Sequence, residues 1–135
     1  MKFVLATQNP KKLKEMSAIL GELGVEVVSE ADLGVKIEVE ETGETFAENS
    51  LLKAKAVIEA TKLPAIADDS GLCVDALNGG PGVYSARFGG EGLDDIGRYR
   101  LLLQMMHGQA DRRAHFHTTI TCAFPNGDIL QNDGE

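Results

Sequence analysis

The chemistry this chain can do is concentrated in two acidic runs and one basic run. Asp68-Asp69-Ser70-Gly71 follows the apolar stretch Ala65-Ile66-Ala67. Two carboxylates therefore sit at the sheet end where α/β proteins hold ligands. Neighbouring residues on a strand point to opposite faces, so Asp68 and Asp69 can do different jobs. One can bind a metal ion or activate water while the other orients a loop. An Asx-turn would use the same residues without any ligand. Glu40-Glu41 stands ahead of a capped helix. Such a pair either favours the helix dipole or holds Mg²⁺, which takes one or two carboxylates plus substrate phosphates.

The basic run is Thr7-Gln8-Asn9-Pro10-Lys11-Lys12, with Lys14 just beyond. A strand enters a turn here and a Pro-started helix follows. Free backbone N–H groups and the positive end of the dipole make such a terminus receptive to anions. Capping alone also accounts for Asn9. The G-x-x-x-x-G-K-[ST] pattern of a P-loop is absent. His115 and His117 share one face of a strand and are a conceivable metal pair. We read them as facing solvent, because no Cys/His zinc spacing accompanies them. There is no G-x-S-x-G elbow or other nucleophile signature.

Positioning these groups falls to alternating strands and helices. Residues 2–6 read as a short buried strand. Leu13, Met16, Leu20 and Leu23 fall at helical spacing, between Asn9 as N-cap and Gly24 as stop. Residues 25–28 are a second apolar run, and 37–39 a short strand. Thr45 and Glu48 form a capping box opening a helix over about 46–62, ended by Pro64. Ala47, Leu51, Ala54 and Ile58 are its expected core stripe. Asn49, Lys53, Ala56 and Ala60 share another face. Lys53 there either snorkels or points into a cleft. Residues 65–67 form a short run that stops at Asp68, with a separate strand over 72–77 and a Gly-rich loop over 78–92. Asp94 or Asp95 caps a helix to Met106. Residues 114–124 alternate cleanly, and Pro125-Asn126-Gly127-Asp128 turns the chain into a returning strand. This is an α/β fold with a mixed sheet and flanking helices.

Composition excludes several classes. The 135 residues suit one domain; they are 43% hydrophobic and 25% charged, an ordinary globular mix. The formal charge of −8 repels nucleic acid and anionic lipid at long range. A small anionic substrate is still allowed if cations cluster locally or a metal ion assists. No Trp and few other aromatics leave no base-stacking platform. No apolar run approaches a bilayer span and no signal peptide is evident, so the expected location is the cytoplasm, with no membrane partner. Cys73 and Cys122 are too few for a disulfide framework and are expected reduced.

Taken together, these segments resemble the inosine/xanthosine triphosphate pyrophosphatase family. The resemblance rests on Leu5-Ala6-Thr7-Gln8-Asn9-Pro10-Lys11-Lys12, Glu40-Glu41-Thr42-Gly43-Glu44-Thr45-Phe46 with Glu48-Asn49, and Leu52-Lys53-Ala54. Ala67-Asp68-Asp69-Ser70-Gly71-Leu72 and Pro81-Gly82-Val83-Tyr84-Ser85-Ala86-Arg87 complete it. It implies two α/β lobes flanking a cleft, and hydrolysis of ITP, dITP and XTP to monophosphate and pyrophosphate with Mg²⁺, in nucleotide-pool sanitation by a homodimer. By position, Thr7, Gln8, Asn9, Pro10, Lys11 and Lys12 would hold the phosphates, Lys53 would pair with them and Ser70 would contact the nucleotide. Glu41 and Asp69 would bind Mg²⁺. Asp69 would activate the attacking water, and Asp68 would support the site. The Pro81 to Arg87 segment would shape the cleft and the dimer contact.

The family's later Gly-Phe-Gly-Tyr-Asp-Pro-like and Ser-His-Arg-like segments, which contact the base, do not occur here. Residues 1–135 are thus expected to be one pyrophosphatase domain, short at its C-terminus, with base selection lying outside it. The alternative expectation is an inactive remnant that binds polyphosphate or dimerises only. A related Maf-type pyrophosphatase is a third reading, which the Thr42 to Phe46 and Asp68 to Gly71 runs fit less well.

Overall fold

The computed structural model describes residues 2–7, 9–90 and 92–135, with Arg87 described by its backbone alone. Strand β1 (Lys2–Leu5) pairs in parallel with β2 (Glu26–Ser29), setting Val4 opposite Val28. On its other side β1 runs parallel to β3 (Ala65–Val74), with Leu5 opposite Ile66. Strands β5 (Ala114–Ala123) and β6 (Ile129–Gly134) extend the sheet in the order β2-β1-β3-β5-β6. The short β4 (Gly80–Pro81) lies antiparallel to the far end of β3, with Cys73 opposite Pro81. The sheet is therefore mixed, as the patterning predicts.

The chain forms two compact units, Met1–Asp69 with Thr119–Asp133, and Ser70–Thr118 with Gly134–Glu135. In the first, strand alternation sorts the core into two layers. Val4, Ala6, Ala65, Ala67 and Ala123 pack with Ala54 and Val57 of helix α2 (Phe46–Thr61). Phe3, Leu5 and Ile66 pack with Leu13, Met16 and Leu20 of helix α1 (Pro10–Glu22). The two helices thus cover opposite faces. Small alanines on one side let α2 approach the strands closely; on the other, Phe3 meets Phe124 edge-on at 5.8 Å. Asn9 caps α1 by accepting from Lys11 N, with Pro10 at the first position. Thr45 caps α2 by accepting from Glu48 N.

In the second unit, Asp94 caps helix α3 (Asp95–Met105) by accepting from Gly97 N. Ser85 fastens the glycine-rich segment: its hydroxyl accepts from Leu72 N and donates to Gly82 O. Among the described residues, no helix is long and apolar enough to cross a membrane.

Four local expectations change. Residues 37–39 are not a strand. They lie in a backbone segment that Glu30 helps to hold, its carbonyl accepting from Leu33 N and Val35 N. β3 does not stop at Asp68 but continues through Gly71 to Val74, since its neighbours keep satisfying its backbone groups. On α2 the buried positions are Asn49, Ser50, Ala54 and Val57, a stripe rotated from Ala47-Leu51-Ala54-Ile58. On β5 the buried side chains are the hydroxyls Thr119 and Thr121 and the small Ala123, while Phe116 and Ile120 are exposed. The rotation and the hydroxyl face share one cause. Ser50 and Thr121 hydrogen-bond across the α2–sheet interface, and Gln131 donates to Thr121 Oγ1 and to Ala47 O.

Lys62 ends α2 in the left-handed region at φ 61°, donating its N–H to Ile58 O. A side chain is disfavoured there and glycine is not. Lys62→Gly is expected to stabilise the protein by about 0.5–1 kcal/mol, after the added flexibility of the unfolded chain is subtracted. A denaturant midpoint that falls instead would mean the lysine side chain outweighs the backbone strain.

Candidate functional site

The site is organised around one ammonium group. Lys53 projects from the middle of α2, and its Nζ lies 2.8 Å from Glu41 Oε1 and 3.7 Å from Asp69 Oδ1. The same group donates to Asp68 O at 3.0 Å. Glu41 Oε1 and Asp68 O lie at hydrogen-bond distance, whereas Asp69 Oδ1 is held by charge at ion-pair distance. Of the two readings open for Lys53 in the sequence, the structure supports the inward one.

Asp69 is 6% exposed. Burial pushes its pKa up from the ordinary carboxylate value, and the Lys53 charge and a hydrogen bond from Asn49 only partly offset this. The nearby charges of Glu41 and Asp68 push the same way as burial. The result is a carboxylate more basic than a solvated one, as proton abstraction near neutral pH favours.

Asp68 and Asp69 diverge as adjacent strand residues must. Asp69 joins the α2 face of the sheet, where Ala65 and Ala67 are buried. Asp68 turns to the α1 face and accepts from Lys12 Nζ at 2.7 Å. One dipeptide thus ties both helices to the strand with different cations. Lys12 is about two-fifths exposed, so this pair contributes little to stability by itself.

Asn49 is the residue whose role the sequence did not reveal. It is fully buried, one turn before Lys53. Its Nδ2 donates to Asp69 Oδ2 at 3.2 Å and its Oδ1 accepts from Gly43 N at 2.8 Å. It therefore ties the Gly43 backbone to Asp69 on β3. The available signal was its i, i+4 spacing to Lys53. Glu30 is the second such residue. It is 7% exposed, and burial raises its pKa against a lowering backbone hydrogen bond from Ile37. It walls two neighbouring concavities. One, of about 340 Å³, is also bordered by Glu41 and Lys53. The other, of about 380 Å³, is bordered by Thr7, Asn9 and Pro10 at the start of α1.

Glu41, Lys53, Asp69, Asp68 and Lys12 are therefore brought together, with Thr7, Asn9 and Pro10 lining the adjoining space. The Lys11 side chain is exposed, while its backbone N–H is engaged by Asn9. Ser70 belongs to the second unit, where its hydroxyl pairs with Thr118 Oγ1 at 2.9 Å. Gln8 lies outside the described residues. A hard divalent cation fits the donor set: Glu41 Oε1 and Asp69 Oδ1 both face one point of positive charge, now the Lys53 ammonium.

Gly43 is required at its position. A Cβ there would lie 2.6 Å from Glu48 Cβ and 2.7 Å from Asn49 Oδ1. Gly43→Ala is expected to cost about 1–3 kcal/mol, the range for overpacking a filled site. Chemical denaturation checks this, and a stability within experimental error of the parent would mean the clamp can shift freely.

Comparison with known proteins places this arrangement. The Ham1 family model matches residues 3–135. The dITP/XTP pyrophosphatase of Leptospira interrogans is 53% identical over 116 residues, covering 86% of this chain and 59% of the relative. That of Desulforamulus reducens is 49% identical over 136 residues, covering 99% and 68%. Among solved structures, a Ham1 protein from Coxiella burnetii superposes with a TM-score of 0.90 at 38% identity, covering 99% of this chain and 70% of that one. The Staphylococcus aureus Ham1 protein gives 0.88 at 38% identity, covering 99% and 69%. The chain spans about three fifths of the length of the first curated relatives it matches. By motif, sequence and fold alike, this chain belongs to the Ham1 family.

Proposed function

We propose that the protein hydrolyses deaminated purine nucleoside triphosphates, with dITP, ITP and XTP as substrates, to the monophosphate and pyrophosphate. The observation that carries this reading is the buried, basic Asp69 held between Asn49 and Lys53, with Glu41 beside it. The curated relatives named dITP/XTP pyrophosphatases supply the substrate class. The reading carries with it Mg²⁺ as cofactor, a homodimer and a place in the cytoplasmic nucleotide pool.

Glu41 and Asp69 would hold Mg²⁺, which when bound supplies positive charge against the phosphates and orients them. Asp69 accepts a proton from the attacking water. The water oxygen bonds to the α-phosphorus, the bond from that phosphorus to its bridging oxygen breaks, and pyrophosphate leaves. Asn49 keeps the Asp69 carboxylate in one orientation through Oδ2. Lys53 sits where a negatively charged oxygen would replace Glu41 as its partner. The start of α1, with Thr7 and Asn9, faces the adjoining concavity and offers a dipole end to the remaining phosphates.

The deciding experiment is a nucleotide panel with separate detection of pyrophosphate and orthophosphate, titrated with Mg²⁺. Pyrophosphate release from ITP and XTP, lost on chelation, is expected. Orthophosphate release would reject this reaction, and binding without turnover would favour a remnant that only holds polyphosphate. Asp69→Asn is expected to lower kcat by about 10²–10⁴ through loss of the base, with the fold retained by circular dichroism; an unchanged kcat would remove Asp69 from catalysis. Lys53→Ala is expected to raise the KM for ITP about 10–100-fold, the value of a hydrogen bond between charged groups. A stability loss with unchanged KM would assign Lys53 to packing instead.

A further inference from the structure

Spacing alone leaves His115 and His117 as two imidazoles on one strand face with nothing to complete a ligand set. The β5–β6 hairpin supplies a third group. Gln131 Nε2 donates to Thr121 Oγ1 at 2.9 Å, and Thr119 donates to an Asp133 carboxylate oxygen. These partners step along the two strands two residues at a time in opposite directions. One further step sets Glu135 opposite His117. Glu135 Oε1 lies 3.7 Å from His117 Nδ1 and 3.8 Å from His115 Nε2. One ligand atom from each of the three residues lies within 4.8 Å of the other two.

The geometry points to a binding site for a divalent transition-metal ion of the zinc class at His115, His117 and Glu135. All three residues belong to the second unit, whereas Glu41 and Asp69 belong to the first. Ligand atoms about 2.0–2.2 Å from a tetrahedral zinc ion lie about 3.4 Å from one another. The two carboxylate–imidazole distances therefore need to close by only about 0.3–0.4 Å, within reach of side-chain rotation. Two imidazole nitrogens and one carboxylate select a borderline ion over Mg²⁺, which prefers oxygen donors alone. The site faces solvent, with side-chain exposures of 44, 24 and 68% for His115, His117 and Glu135. Water can therefore fill the fourth position, and no buried channel is needed for entry. A bound ion ties the end of β6 to β5 and stabilises the native state by linkage.

The test is calorimetric titration of the protein with ZnCl₂ at neutral pH, with thermal unfolding followed in Zn²⁺ and in Mg²⁺. The expected result is one zinc ion per chain at this site and a rise in Tm that Mg²⁺ does not reproduce. His115→Gln, His117→Gln and Glu135→Gln, each checked for native circular dichroism, should weaken zinc binding by at least about tenfold. Asp69→Asn and Cys73→Ser should leave it unchanged. No zinc binding at micromolar concentration, zinc binding retained in both histidine variants, or loss of binding in Asp69→Asn or Cys73→Ser would each overturn the assignment.

Discussion

A carboxylate taken out of water must be compensated, and Asp69 is compensated by one lysine and one amide. Much of the first unit follows from that constraint. Lys53 reaches Asp69 only if α2 lies directly on β3, which is why the residues between them are alanines and one valine. Asn49 reaches the other oxygen only from the preceding turn of the same helix. The Glu41–Gly43 segment has to come close enough for Glu41 to share the ammonium and for Gly43 N–H to satisfy Asn49. Gly43 carries no side chain because Glu48 and Asn49 occupy that space.

The same alternation that builds the sheet divides labour between adjacent acids. In β1, the residue after it and β3, it sends Val4, Ala6, Ala65 and Ala67 to the α2 layer and Phe3, Leu5 and Ile66 to the α1 layer. Carried on two residues further, it delivers Asp69 to Lys53 and Asp68 to Lys12. The buried, basic carboxylate of Asp69 and the partly exposed one of Asp68 differ in environment although they are sequence neighbours. Environment rather than residue type therefore sets their chemistry.

Where the sheet continues into β5, the packing against α2 is polar. Ser50, Thr121 and Gln131 form a connected set of hydrogen bonds that ends on Ala47 O. Buried hydroxyls contribute only when paired, so this set favours one register of α2 on the sheet more than it adds attraction. That register is what orients Asn49 and Lys53 toward Asp69. The polar interface and the candidate site are thus parts of one positioning device.

Local chemistry was legible in the amino-acid order. Asn9-Pro10, Thr45 with Glu48, and Asp94 mark the helix starts where the structure has them, because capping is decided within a few residues. The opposite facing of Asp68 and Asp69 follows from strand geometry alone. The resemblance carried by Thr7–Lys12, Glu41, Lys53 and Asp68–Gly71 pointed to the Ham1 family, and the family model covers residues 3–135. Long-range contacts decided the rest. β3 runs on through an acidic, glycine-containing stretch because neighbouring strands satisfy its backbone, which no local propensity encodes. The α2 stripe rotated, and β5 buried threonines while exposing Phe116 and Ile120, because hydrogen bonds between distant residues outweighed simple apolar periodicity. Asn49 and Glu30 took on roles only when burial made their polar groups seek partners. Burial is a property of the assembled layers, so the chain order names the ionisable groups and the tertiary structure sets the environment of each.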